Sequence, residues 1–122
     1  MIEQAAETAA GSLRKFCRKP RSAKLLHRAR KSLARLLAGL DDLGDAAGTD
    51  RQLLERVRDV HSRAGKVRDA DVLLRRVKAY RKLATGTECD ELRAIARKLR
   101  KRRKKARRRL QSLIAELPGL RV

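Results

Sequence analysis

The chain has 122 residues, enough for one domain with a modest core and too few for several. Lys and Arg number 34 against 14 Asp and Glu, a formal charge of +20. Repulsion on that scale calls for a polyanion, whether nucleic acid, an anionic membrane surface or a polyphosphate. Phe16 and Tyr80 are the only aromatic residues and Leu, Ala, Arg and Lys dominate, a composition that favours helices and argues against a sheet protein.

The first segment, 2–18, places Ile2, Ala5, Ala9, Leu13 and Phe16 at spacings of three and four, the narrow seam of a bundle helix. Gly11 weakens it, and Ser12 could start a new helix there. Pro20 marks a stop or a fresh start, and Ser22 is the expected cap of a second helix, 21–43.

On that second helix one turn per 3.6 residues gathers Leu25, Leu26, Ala29, Leu33, Leu36, Leu37 and Leu40 on one arc. Lys24, His27, Arg28, Arg30, Lys31 and Arg35 occupy the opposite arc with no acid among them. Solvated faces usually interleave acids at i,i+4, so this one reads as a phosphate-binding surface, with His27 as an added donor to phosphate oxygens.

LGDAAGTD, residues 43–50, reads as a loop, with Thr49 or Asp50 capping a third helix, 51–83. Leu53, Val60, Val67 and Leu74 repeat every seven residues there, with Val57 and Ala64 between them. The next seam position is Asp71, and a carboxylate on a buried seam needs a cationic or hydrogen-bonding partner. It could orient an arginine or His27 on a facing helix. Gly65 inside this helix predicts a kink or a close crossing.

A short turn, 85–88, leads to a fourth helix, 88–117, whose early acids Glu88, Asp90 and Glu91 suit a helix N-terminus. Leu92, Leu99, Ala106 and Leu113 keep the heptad, with Ile95, Leu110 and Leu117 beside them. From Arg93 to Arg109, 12 of 17 residues are Lys or Arg and none is acidic. Arg97, Arg100, Lys101, Lys104 and Arg108 are the cations expected to join the second helix in binding. Four amphipathic segments with short loops predict an all-α fold, an antiparallel four-helix bundle in a single domain spanning 1–122.

Catalysis and metal binding find little support. Gly-rich phosphate loops, Ser/His/Asp arrangements and acidic metal clusters are missing from the sequence. Asp69 and Asp71 alone are thin evidence for the carboxylates that would hold a catalytic Mg²⁺. Cys17 and Cys89 lack a metal-ligand spacing and are too few for a disulfide framework. No leader-like N-terminus or long apolar run stands out, so a soluble cytoplasmic protein is the expectation, with no membrane role.

His27-Arg28-Ala29-Arg30, followed by Arg35, resembles the His-x-x-Arg helix of the conserved-histidine α-helical (CHAD) domain family. Val67-Arg68-Asp69-Ala70-Asp71-Val72 resembles that family's Arg-Asp-x-Asp-Val segment, and the basic helix that follows is also similar. The resemblance covers about residues 1–117. It implies a non-enzymatic helical bundle that binds inorganic polyphosphate through Lys and Arg lining a basic pore, without a cofactor. It assigns His27, Arg30, Arg35 and Arg68 to the ligand, with Asp69 and Asp71 supporting them.

Family members usually look like two similar four-helix halves, whereas this chain has one. A homodimer whose two basic faces enclose the polyanion is therefore expected, in the cytoplasm and associated with polyphosphate granules. Nucleic-acid binding is the alternative; the scarcity of aromatic stacking residues and of known recognition motifs speaks against it.

Overall fold

The structure is a computed structural model that describes residues 2–43 and 51–118. The expected loop at 43–50 and its cap at Thr49 or Asp50 lie, but for Leu43, outside the described residues. Four helices follow in order: α1 (Ile2–Arg18), α2 (Ala23–Leu43), α3 (Arg51–Arg81) and α4 (Thr87–Ala115). The expected all-α bundle is present, with helix ends within two residues of those read from the sequence.

Local chemistry explains the joints. The Leu25 amide donates to Ser22 Oγ at 3.2 Å, so Ser22 caps α2 by satisfying a first-turn N–H. Ser12 starts no new helix. α1 runs unbroken through Gly11, and the Ser12 hydroxyl pairs with Ser32 of α2 at 3.0 Å. Gly86 precedes α4 at φ 61°, a left-handed conformation that a β-carbon disfavours.

Each helix packs on the next, α1 on α2, α2 on α3 and α3 on α4. One core holds Ala9, Leu13 and Phe16 of α1, Leu26, Ala29, Leu33 and Leu36 of α2, Val57 to Val67 of α3, and Leu110, Ile114 and Leu117 at the far end of the chain. Hydrophobic burial of this kind supplies most of the bundle's stability.

At 1.5 Å per residue, the 31 residues of α3 and 29 of α4 outrun the 17 of α1 and 21 of α2. Beyond the four-helix core the α3–α4 hairpin continues as a two-helix arm. A second, smaller cluster of Leu74, Ala96 and Leu99, with Val77 beside it, holds the arm together. Asp71 sits where the core ends and the arm begins.

Two seam assignments change. Ile95 is 46% exposed and Ala96 is fully buried in its place, and Leu53 is 39% exposed. Gly65 lies within a continuous helix. Its nearest non-local neighbour is the Arg30 guanidinium, whose Nη2 would stand 3.8 Å from an added β-carbon. That is ordinary van der Waals contact, so Gly65→Ala should stabilise the fold by about 0.5–1 kcal/mol. A thermal melt would show a midpoint raised by roughly 3 °C; a lower midpoint would mean that α2 and α3 need the bare backbone there.

Candidate functional site

Asp71 is the one buried charged residue among those described, at 8% exposure. Its Oδ1 accepts a hydrogen bond from Arg103 Nη1 at 3.2 Å, and Arg107 Nη2 approaches the same oxygen to 3.9 Å. Arg103 and Arg107 are one turn apart on α4, which is why both reach a single acceptor on α3. The carboxylate on the seam thus orients arginines of the facing helix. His27 is exposed on α2 and is not part of this group.

Positive charge is in excess here. Burial pushes the Arg107 guanidinium down from its ordinary value, and neighbouring Arg103 and Arg21 push the same way, against the opposing pull of Asp71. A guanidinium stays charged regardless. Arg21 belongs to the α1–α2 turn, so the charge of that turn reaches the cluster on α3 and α4. Arg103 and Arg107 share one carboxylate, and the charge of Arg21 bears on Arg107. The two α4 guanidiniums carry five N–H donors each, more than the acceptor sites of one carboxylate. Their Nε atoms are buried without a protein acceptor.

Arg30 forms a second focus. It is half-buried on the side of α2 that faces α3, against Gly65. Burial holds the His61 imidazole below its ordinary value, and the charge of Arg30 adds to the effect. His61 therefore has a cationic companion that spacing along α3 did not reveal.

The basic arc of α2 divides between two neighbours. Ser32 pairs with Ser12 of α1, and Arg35 lines a shallow pocket with Ser32 and with Gln4, Ala5 and Thr8 of α1. Arg30 and Arg35 thus lie on opposite flanks of α2 and are not brought together. Lys24, His27, Arg28 and Lys31 are exposed between them, and Arg68 is half-buried on α3. Asp69 is exposed and lines a groove on the outer side of α3 and α4, away from Asp71.

On α4, Arg97, Lys101, Lys104 and Arg108 are exposed at spacings of four, three and four, one row along the helix. Arg100 is exposed beside them. The inward cations, Arg103 and Arg107, and Arg21 were not singled out by the sequence. The signal for Arg103 was present: Ala96, Arg103, Leu110 and Leu117 repeat every seven residues, which puts an arginine on the α4 seam opposite the aspartate on that of α3.

Among the described residues no helix is long and apolar enough to cross a membrane. Both cysteines are free and half-buried, and burial raises the Cys17 thiol above its ordinary value.

A pH dependence follows from His61. Because folding holds this imidazole below its ordinary 6.5, the unfolded chain binds the proton more readily. Nothing is lost above 6.5; below it stability falls, and the loss is complete once pH has dropped through the lower folded-state value. Arg30→Gln should raise the His61 pKa in an NMR titration without restoring the ordinary value, since burial, the larger cause, remains. An unmoved resonance would remove Arg30 from its neighbourhood.

The model of the CHAD domain matches residues 2–120. No curated protein and no solved structure is a significant match. With a family model spanning nearly its whole length, and the four helices in place beneath it, the chain belongs to the CHAD domain family.

Proposed function

We propose that the protein binds inorganic polyphosphate without chemical conversion, through the arginines gathered at Asp71 and the exposed cations around them. The observation that carries this reading is the surplus of guanidinium donors over one buried carboxylate. Arginine's planar fork suits phosphate oxygens, two N–H groups at a time. A chain of phosphates supplies acceptors at every unit and carries no bases that would need stacking residues. Family membership favours the same ligand.

In this reading Asp71 is a positioning residue. Its negative charge is taken up by Arg103 and Arg107, so it is poorly placed to hold a catalytic Mg²⁺ as well. Lys24, His27, Arg28, Arg30, Lys31, Arg35, Arg68 and the α4 row of Arg97, Arg100, Lys101, Lys104 and Arg108 supply further contacts for a long polyanion, those of α2 spread over two flanks. In a homodimer two such basic surfaces serve one long polyanion. Such a protein belongs in the cytoplasm with polyphosphate granules.

The test compares long-chain polyphosphate with duplex DNA of matched phosphate count at one ionic strength. Polyphosphate should bind more tightly, and affinity for it should fall with added salt as counterions are released. Equal or tighter DNA binding would instead favour nucleic acid, for which the exposed α4 row is the natural contact. Arg103→Gln with Arg107→Gln should weaken polyphosphate binding by at least about tenfold, as two lost charge-assisted contacts imply. Arg28→Gln with Arg35→Gln removes the same charge and should cost less; equal losses would show that net charge alone binds.

Incubation with polyphosphate and Mg²⁺ or Mn²⁺ should leave chain length unchanged. Shortening that Asp71→Asn abolishes would establish an enzyme.

A further inference from the structure

The outer side of the α3–α4 hairpin carries a feature that anion binding does not use. Five large apolar side chains are exposed among the described residues, and four of them, Leu73 (43%), Tyr80 (65%), Leu83 (85%) and Ile95 (46%), lie on the arm. On α3, residues 66, 70, 73, 77 and 80 recur at spacings of four and three. On α4, residues 88, 92, 95, 99, 102, 106 and 109 do the same. Each series is one stripe along its helix; Ala70 and Leu99 are buried and Val77, Leu92 and Ala106 half-buried, while Leu73, Tyr80 and Ile95 stand exposed beside them over two grooves on this side.

The two ends of this face carry opposite charge. Near the core, a groove of about 490 Å³ has Arg63, Lys66, Arg102, Lys105 and Arg109 around an apolar floor that includes Leu73 and Leu99, with Asp69 as its one acid. At the tip, Tyr80, Leu83, Leu92 and Ile95 line a second hollow with Glu88 and Glu91. In a chain of +20 this is a rare acidic and apolar surface.

We propose that two copies of this chain pair through the outer faces of their α3–α4 hairpins, antiparallel, about a two-fold axis near Leu73 and Ile95. The acidic tip of each copy then lies over the basic groove of the other, and the apolar stripes meet between them. From the centre of the groove, near residues 68 and 104, to the tip, near 80 and 92, is 12 residues, about 18 Å of helix. A two-fold axis midway brings tip and groove into register twice, as an isologous interface requires.

A face about 30 Å long and two helices wide, about 20 Å, offers roughly 600 Å² per copy. The total, about 1,200 Å², is at the lower end for a specific complex. Charges farther apart than about 8 Å are screened at physiological salt, so overall repulsion does not prevent this local match. The inference rests on the homodimer proposed above and gives it a surface. It leaves Arg103, Arg107 and Asp71 on the far side of each hairpin, facing outward from the pair instead of enclosing a pore.

Sedimentation of the full chain at ~0.15 M salt, without polyanion, should show a concentration-dependent dimer. Leu73→Gln with Ile95→Gln should weaken it by at least about tenfold, as loss of central apolar anchors does, while helicity by circular dichroism is unchanged. Glu88→Lys with Glu91→Lys should be monomeric, and so should Lys66→Glu with Arg102→Glu and Lys105→Glu, which turns the groove from net positive to net negative. Mixed in equal amounts, these two variants should form a heterodimer, because each tip then opposes a groove of opposite charge.

A monomeric wild-type chain, a dimer indifferent to Leu73→Gln with Ile95→Gln, or failure of the mixed variants to associate would overturn the pairing. The monomeric Leu73→Gln, Ile95→Gln chain should still bind short polyphosphate; loss of that binding in a folded chain would contradict the separation of the two faces. If the wild-type chain pairs as described yet ignores polyphosphate, the pairing stands and the ligand assignment falls.

Discussion

Asp71 and the two arginines that converge on it set the terms for the rest of the molecule. A carboxylate at 8% exposure on a helix seam is costly unless it is paired and hydrogen-bonded. The partner arrives from the matching seam position of α4, through Arg103 at 3.2 Å. Apolar residues of similar size would pack there at equal or better stability. What they would not supply is a pair of guanidiniums held in fixed orientation with donors to spare. The position makes the choice intelligible: Asp71 lies where α1 and α2 end their cover, so its arginines have the core behind them and open surface within reach.

The same boundary divides the chain's charge problem. Within the core the helices bury Leu, Ala, Val and Phe16 and turn their cations outward on long, hydrated side chains. Beyond the core, α3 and α4 have only each other, and Leu74, Ala96 and Leu99 supply a thin apolar contact between them. A highly cationic bundle is destabilised by its own repulsion, so any polyanion that binds the folded chain also stabilises it. Under the proposed function, binding and stability are linked through one excess of charge.

Helix periodicity made most of the fold legible. All seven apolar positions assigned to the inner arc of α2 are buried or half-buried, and the α3 seam from Val57 to Leu74 is buried throughout. The errors have physical causes. The sequence of α4 offers Ile95 and Ala96 side by side, and apolar size favours Ile95 although the packing buries Ala96. On α4 the run of cations conceals which of them points inward, because charge says nothing about face; only the register Ala96, Arg103, Leu110 does. The α2 arc misled for another reason. A helical wheel assumes one partner, whereas α2 packs against both α1 and α3. Arg30 goes with α3 and Arg35 with α1, although both belong to one polar arc. Arg21 was beyond reach of any pattern, since it comes from a turn and its charge reaches Arg107 only through the fold.

The α3–α4 hairpin therefore has two faces with different work. Its inner side, at the end of the core, holds arginines around a single acid and suits phosphate oxygens. Its outer side holds an apolar stripe with an acidic tip and a basic groove at opposite ends and suits a second hairpin of the same kind. Placing the two on opposite sides means that pairing does not compete with the ligand. It also sets what pairing can add. In the proposed pair, two clusters on one rigid body would engage a single long polyanion at a high effective concentration, so the second engagement would strengthen binding without any new contact chemistry. A polyanion too short to reach both clusters gains nothing from the dimer. Preference for long chains would then come from the spacing of two sites, with each site indifferent to length.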